Sequence, residues 1–203
     1  MQPIVRLGPD EKSPWPLLIT ATVKPKDADA PPLVGNFRVE EMPWSDPIGA
    51  ALRDAQQAEL DIRYKHGELG HEPGIKPTGD NTALFVVAYP VPILHSPETS
   101  EDIEAKTVPL ACGGLRDLGD GYMEIKRMYA VPNARGTGAA QSILLALEQY
   151  ARNIGVKALR LETGNRQQDA MRYVCYAAEI RGNQLTPICH KTILRAAWIY
   201  IYS

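Results

Sequence analysis

The chain has 203 residues, a formal net charge of −2, and 44% hydrophobic against 23% charged side chains. That is the composition of an ordinary globular domain. The charge balance gives no footprint for nucleic acid or an anionic membrane, and no stretch approaches the roughly 20 apolar residues that span a bilayer. Residues 1–12, MQPIVRLGPDEK, lack a signal-peptide apolar core, and Cys112, Cys175 and Cys189 are scattered too widely for a disulfide framework or zinc site. A cytoplasmic setting follows as the default expectation.

Residues 1–35 are rich in Pro and charge and read as an N-terminal extension or linker, in which Leu17–Val23 can add an edge strand. The domain is expected to occupy residues 36–203. It opens with FRVEEMP from Phe37, which alternates as a half-buried strand does. Asp46 and Pro47 suit the cap and first turn of a helix. The spacing of Ile48, Leu52, Ala55 and Ile62 carries that helix to about Lys65. His66, Glu68, His71 and Glu72 fall in the loop that follows; their spacing fits no metal motif, so no metal site is expected.

Ala83–Tyr89, ALFVVAY, is a strand-length apolar run expected to be buried on both faces. After an acidic loop, Val108–Leu115 and Tyr122–Ala130 form an antiparallel pair turning at Gly119-Asp120-Gly121. Cys112 reads as a buried small hydrophobe, and Gly113-Gly114 as close packing or a bulge.

Residues 124–141 read EIKRMYAVPNARGTGAAQ: a strand, a Pro-containing turn, a glycine loop opened by Arg135, and a helix start. Gly136 and Gly138 allow positive φ and close backbone approach, and the helix start offers unpaired N–H groups to an anion. Ile143, Leu144, Leu147, Tyr150, Ala151 and Ile154 make the apolar stripe of that helix, which Gly155 ends. Val156–Thr163 is the next strand, with Leu159 and Leu161 inward. Gln167 to about Tyr176 suits a further helix.

The run Arg135-Gly136-Thr137-Gly138-Ala139-Ala140 resembles the acetyl-CoA signature of the GNAT superfamily of N-acetyltransferases. EIKRMYAVP before it and LETGNRQ (161–167) after it resemble the family's fourth strand and fifth strand with its exit. Three segments in order, spanning about residues 37–173, make a stronger signal than the loop alone. The resemblance implies an α/β (α+β) fold: a mixed, mostly antiparallel sheet flanked by helices, in the order β-α-β-β-β-α-β-α. It implies acetyl-CoA as cosubstrate and direct acetyl transfer to a primary amine in a ternary complex. The pantetheine would pair with Met128, Tyr129 and Ala130. The diphosphate would rest on amides from Arg135 through Gly136, Thr137, Gly138, Ala139 and Ala140, and Asn165 would bond cofactor or water.

Glu124 stands where many members of that family carry a general base; the alternative is a strand glutamate paired with Lys126 or Arg127. The family's acidic tyrosine falls by register on Val174, so Tyr173 and Tyr176 are each off the expected face. The acceptor, a small-molecule or peptide amine, stays open, as does a homodimer.

Beyond Val174 the resemblance stops. The tail 174–203 lacks the family's Gly-aromatic turn and the expected last strand pair. Two readings stand: a foreign segment from a retained intron or frameshift, or a divergent tail whose ILRAAWIYIYS forms a last strand. A foreign tail would favour a CoA-binding protein impaired in catalysis. A dinucleotide-binding domain is the weakest reading, because the third glycine of that motif is missing.

Overall fold

The computed structural model describes residues 5–6, 15–23, 31–64, 76–91, 108–164, 185–189 and 194–200. The strands are β1 (Val5–Arg6), β2 (Leu17–Val23), β3 (Leu33–Glu41), β4 (Thr82–Pro90), β5 (Ala111–Gly119), β6 (Tyr122–Ala130), β7 (Ala158–Gly164), β8 (Leu185–Cys189) and β9 (Leu194–Tyr200). The helices are α1 (Pro47–Arg63) and α2 (Ala139–Asn153), with a 3-10 turn at Pro132–Ala134. All nine strands join one sheet in the order β1-β2-β3-β4-β5-β6-β7-β9-β8. Every pairing is antiparallel except β6 with β7. This is the mixed, mostly antiparallel sheet flanked by helices that the sequence leads one to expect.

The alternation of β4 explains how two cores share one sheet. Leu84, Val86 and Ala88 face α2, together with Leu115, Met123, Ile125, Leu159 and Leu161. Phe85, Val87 and Tyr89 face the side of α1, with Leu52 and Cys112. Leu84 to Tyr89 are all 3% exposed or less, so the expected run is buried on both faces except at its first residue, Ala83, which is exposed. In α2, Ile143, Leu144, Leu147 and Ala151 are buried as the stripe predicts; Ile154 is not, at 51% exposed, because the helix has ended. Gly155 closes it at φ +74°, with the Val156 amide reaching back to the Ala151 carbonyl.

Two departures concern the ends. β2 pairs along its whole length with β3, and Leu17, Ile19 and Ala21 sit in the α2-side core, so the core reaches back into the proline-rich segment. The tail follows the reading that gave ILRAAWIYIYS a last strand, β9, and adds the strand β8 that neither reading expected. β9 inserts between β7 and β8 and pairs with β7 from Ala158 to Gly164. The helix expected at 167–176 lies outside the described residues, as do His66, Glu68, His71 and Glu72.

Candidate active site

β6 and β7 run parallel only over Tyr122–Ile125 against Ala158–Leu161. Past that point β7 stays with β9 through Gly164, while β6 continues to Ala130 alongside β5 alone. Among the described residues, the stretch Lys126–Ala130 therefore has a bare edge toward β7, and the sheet splits near Met128 and Leu161.

The split is sharpened by a β-bulge. Cys112 opposes Tyr129 and Gly114 opposes Lys126, so Gly113 alone faces both Arg127 and Met128. Arg127 takes φ +56°, a left-handed backbone that costs a side-chain-bearing residue roughly 1–2 kcal/mol. Gly113 makes the bulge possible: a Cβ there would lie 2.6 Å from Ile143 Cγ2 and 2.7 Å from Met128 Sδ. Strand alternation sorts the backbone groups beyond the bulge. The Val131 amide donates to the Leu110 carbonyl on the β5 side, so Tyr129 also turns that way. Met128 and Ala130 turn into the split. Side chains already probe both carbonyls there: Gln56 Nε2 donates to Met128 O at 2.9 Å, and Arg135 Nε to Ala130 O at 3.1 Å.

The glycine loop lies at the end of this bare edge. The 3-10 turn at Pro132–Ala134 reverses the chain, and Gly136 (φ +81°) and Gly138 (φ +100°) lead into α2. Thr137 closes the loop on itself, its amide and hydroxyl both donating to Ala134 O. Among the described residues, the amides of Gly136, Gly138, Ala139, Ala140 and Gln141 find no acceptor. Five orphan donors at the positive end of a 15-residue helix form an anion cradle. Arg135 crosses the loop to ion-pair with Glu59 on α1 and lies 5.8 Å from the Tyr129 ring centroid.

Glu124 is 1% exposed on the α1 side of β6. Its carboxylate is 2.6 Å from Arg116 Nη2 on the neighbouring strand and 3.3 Å from Lys126 Nζ. The glutamate is therefore neither solvated nor free: two cations hold it. Cys112 is fully buried as its reading required, its thiol donating to Arg127 O at 3.4 Å. Burial pushes that thiol up to about 12, although Arg53 and Arg127 pull the other way. Asn165 and Tyr173 lie outside the described residues.

Sequence reasoning missed the contribution of α1. Arg53 stacks 3.9 Å from the Trp44 ring centroid and 4.8 Å from that of Phe85, and donates to Trp44 O. Burial lowers its pKa, with Arg127 adding to the effect. The only early signal was polar: Arg53, Gln56 and Gln57 interrupt a helix whose apolar positions are few.

The fold defined by this sheet, split and cradle is that of the GNAT acyltransferases. The description "Acetyltransferase (GNAT) family" matches residues 92–174, the segment that carries β5, β6, the glycine loop, α2 and β7. An IAA acetyltransferase of Azospirillum brasilense is 43% identical over 56 residues, which is 27% of this chain and 37% of that protein. Among solved structures, a protein of Klebsiella pneumoniae assigned as an acyl-CoA N-acyltransferase superposes with a TM-score of 0.58 at 20% identity, over 82% of this chain and 98% of its own. An acetyltransferase of the GNAT family from Staphylococcus aureus Mu50 gives 0.54 at 11% identity, covering 82% and 99%. A Bacillus subtilis acetyltransferase solved with CoA gives 0.50 at 11%, also over 82% and 99%. The GNAT resemblance read from the sequence holds, in fold across most of the chain and in sequence across the glycine-loop segment.

Proposed function

We propose that the protein is an acetyl-CoA-dependent N-acetyltransferase that moves an acetyl group directly to a primary amine. One observation carries this reading. Five amides without a partner among the described residues, at Gly136, Gly138, Ala139, Ala140 and Gln141, lie at the end of a strand edge that is unpaired among those residues. Those amides suit a diphosphate, and the Met128 and Ala130 edge suits the amide groups of an extended pantetheine arm. Several anion–helix contacts of roughly 0.3–1 kcal/mol each would give useful affinity. The coenzyme would bring the activated acyl thioester; the residues would place it and draw the proton from the amine.

Glu124 is the proposed base. Arg116 Nη2 at 2.6 Å and Lys126 Nζ at 3.3 Å fix its carboxylate in place. Proton transfer from the amine would then run through water or through the Lys126 side of the network. General-base catalysis is worth about 10²- to 10⁴-fold, so Glu124→Gln should cut turnover by that order and leave CoA affinity in place. Turnover unchanged across the pH range removes Glu124 from the chemistry.

The same ion pairs favour a second reading, a CoA-binding protein with weak or no transferase activity. Acetyl-CoA should raise the melting temperature under both readings. Release of free CoA thiol on adding an amine panel separates them. A folded protein that takes up no CoA at millimolar concentration overturns both.

A further inference from the structure

The α1 side of the split carries two guanidinium groups, of Arg53 and Arg127, that form no ion pair with a carboxylate among the described residues. Arg53 makes its polar contact with the Trp44 carbonyl and its remaining contacts with aromatic faces. Arg127 reaches α1 and donates to Gln57 Oε1 at 3.2 Å, a neutral partner. Among the described residues, neither has an acidic oxygen within ion-pair distance, although Glu59 and Glu124 nearby are both paired with other cations. Between them stands Gln56. Its Nε2 holds the Met128 carbonyl at the bulge, and its Oε1 is buried without a donor.

Arg127 is the informative member. It sits at φ +56°, where glycine or asparagine would fit at lower cost. A long cationic side chain at a strained backbone position is explained by what the side chain does. The bulge aims it toward α1, at the rim where the Met128 carbonyl enters the split.

Resting on the transferase reading above, we propose that the acceptor is an amine bearing a carboxylate close to its amino group, an amino-acid-like substrate. Arg127 takes the carboxylate, and Gln56 Oε1 takes an N–H of the amine. A planar cation with no acidic partner among the described residues complements the carboxylate of such a molecule, and the buried Gln56 Oε1, without a donor among those residues, complements its amine. Gln56, tied to Met128 O, would set the amine beside the bulge where the acyl group must lie.

The test uses matched acceptors that differ only in the carboxylate: phenylalanine with 2-phenylethylamine, tryptophan with tryptamine, lysine with cadaverine. Wild-type protein loaded with CoA should favour the carboxylate-bearing member by about tenfold or more in binding and in kcat/KM, the usual scale for a charge-assisted contact. Arg127→Gly relieves the backbone and should melt no lower than wild type, yet the preference should collapse toward unity while CoA affinity holds within about twofold. Arg127→Asn, also at ease with positive φ, repeats the measurement in a second background. A wild-type protein that binds CoA and acetylates both members alike overturns this inference and leaves the transferase reading standing. Loss of CoA affinity in the Arg127 variants also overturns it, because the guanidinium then serves the coenzyme. Binding of neither member of any pair by the CoA-loaded protein has the same consequence.

Discussion

Gly138 holds φ at +100° directly before α2, and a Cβ there would sit 2.8 Å from the Ala21 Cβ of β2. Gly138→Ala should therefore cost stability twice, through the left-handed backbone and through the clash, together on the order of 1–3 kcal/mol. Denaturant titration measures that loss. CoA affinity should fall as well, since the loop amides move with the residue; a variant with wild-type stability and affinity would refute the cradle as described. Cys112 gives a different kind of prediction. Its folded thiol is pushed up to about 12 by burial, well above the value of an exposed thiol. The unfolded chain thus loses this proton first as pH rises. The contribution is complete below about pH 8.5 and is lost progressively above it, by at most about 1.4 kcal/mol per pH unit. Tyr89, also raised by burial, adds loss of the same sign at higher pH. The difference between wild type and Cys112→Ala in chemical denaturation should therefore shrink from pH 8 to 11. A constant difference would mean that the thiol ionises freely in the fold. At this scale the sequence displayed the loop residues and the buried thiol. It displayed one partner of Glu124, Lys126 two residues on, but not Arg116, which lies on another strand and is brought opposite only by register.

At the scale of elements, each helix has one local device that the sequence shows and one tertiary duty that it hides. The first turn of α1 is capped by Asp46, whose Oδ1 accepts from the Ile48 and Gly49 amides at 2.9 and 3.2 Å, with Pro47 at the first helical position. Asp46→Ala should cost about 1 kcal/mol in global stability, read from a denaturant midpoint; no loss would show that packing alone fixes this helix start. The cap and the proline are spelled out locally. The hidden duty of α1 is its contact with β6 through Gln56 and Gln57 and with the glycine loop through Glu59, pairs separated by 70 residues or more along the chain. α2 showed its face and its start, in an apolar stripe between two glycines, but not its packing against Leu17, Ile19 and Ala21 of β2, and Ile154 of the expected stripe falls beyond its end. β6 was readable as a strand, and its bulge was half-readable: Gly113-Gly114 announced close packing, but which residue would take positive φ depended on the register with β5.

At the scale of the whole molecule, the sheet order decides what the last thirty residues are for. Composition and motif comparison offered two readings of that tail, since it carries no family signature and a strand is defined by its partner as much as by its own residues. In the fold β9 lies along the full length of β7, and β7 forms one wall of the split. Without β9, the seven residues Ala158–Gly164 would present unpaired backbone groups along an edge flanked by buried Leu159 and Leu161. A chain stopping after residue 183 should thus lose several kcal/mol of stability, on the order of that lost when one strand is stripped from a small sheet. It should also self-associate through the exposed edge of β7. Sedimentation velocity and thermal melting of the shortened chain beside the full one test this directly. A monodisperse shortened chain with an unchanged melting temperature would show that β9 adds nothing to the sheet. Wild-type CoA affinity in a destabilised shortened chain would show instead that β5, β6 and the glycine loop build the coenzyme cradle without that wall. The expected result is loss of both, because the split keeps its shape only while β7 is held on its far side.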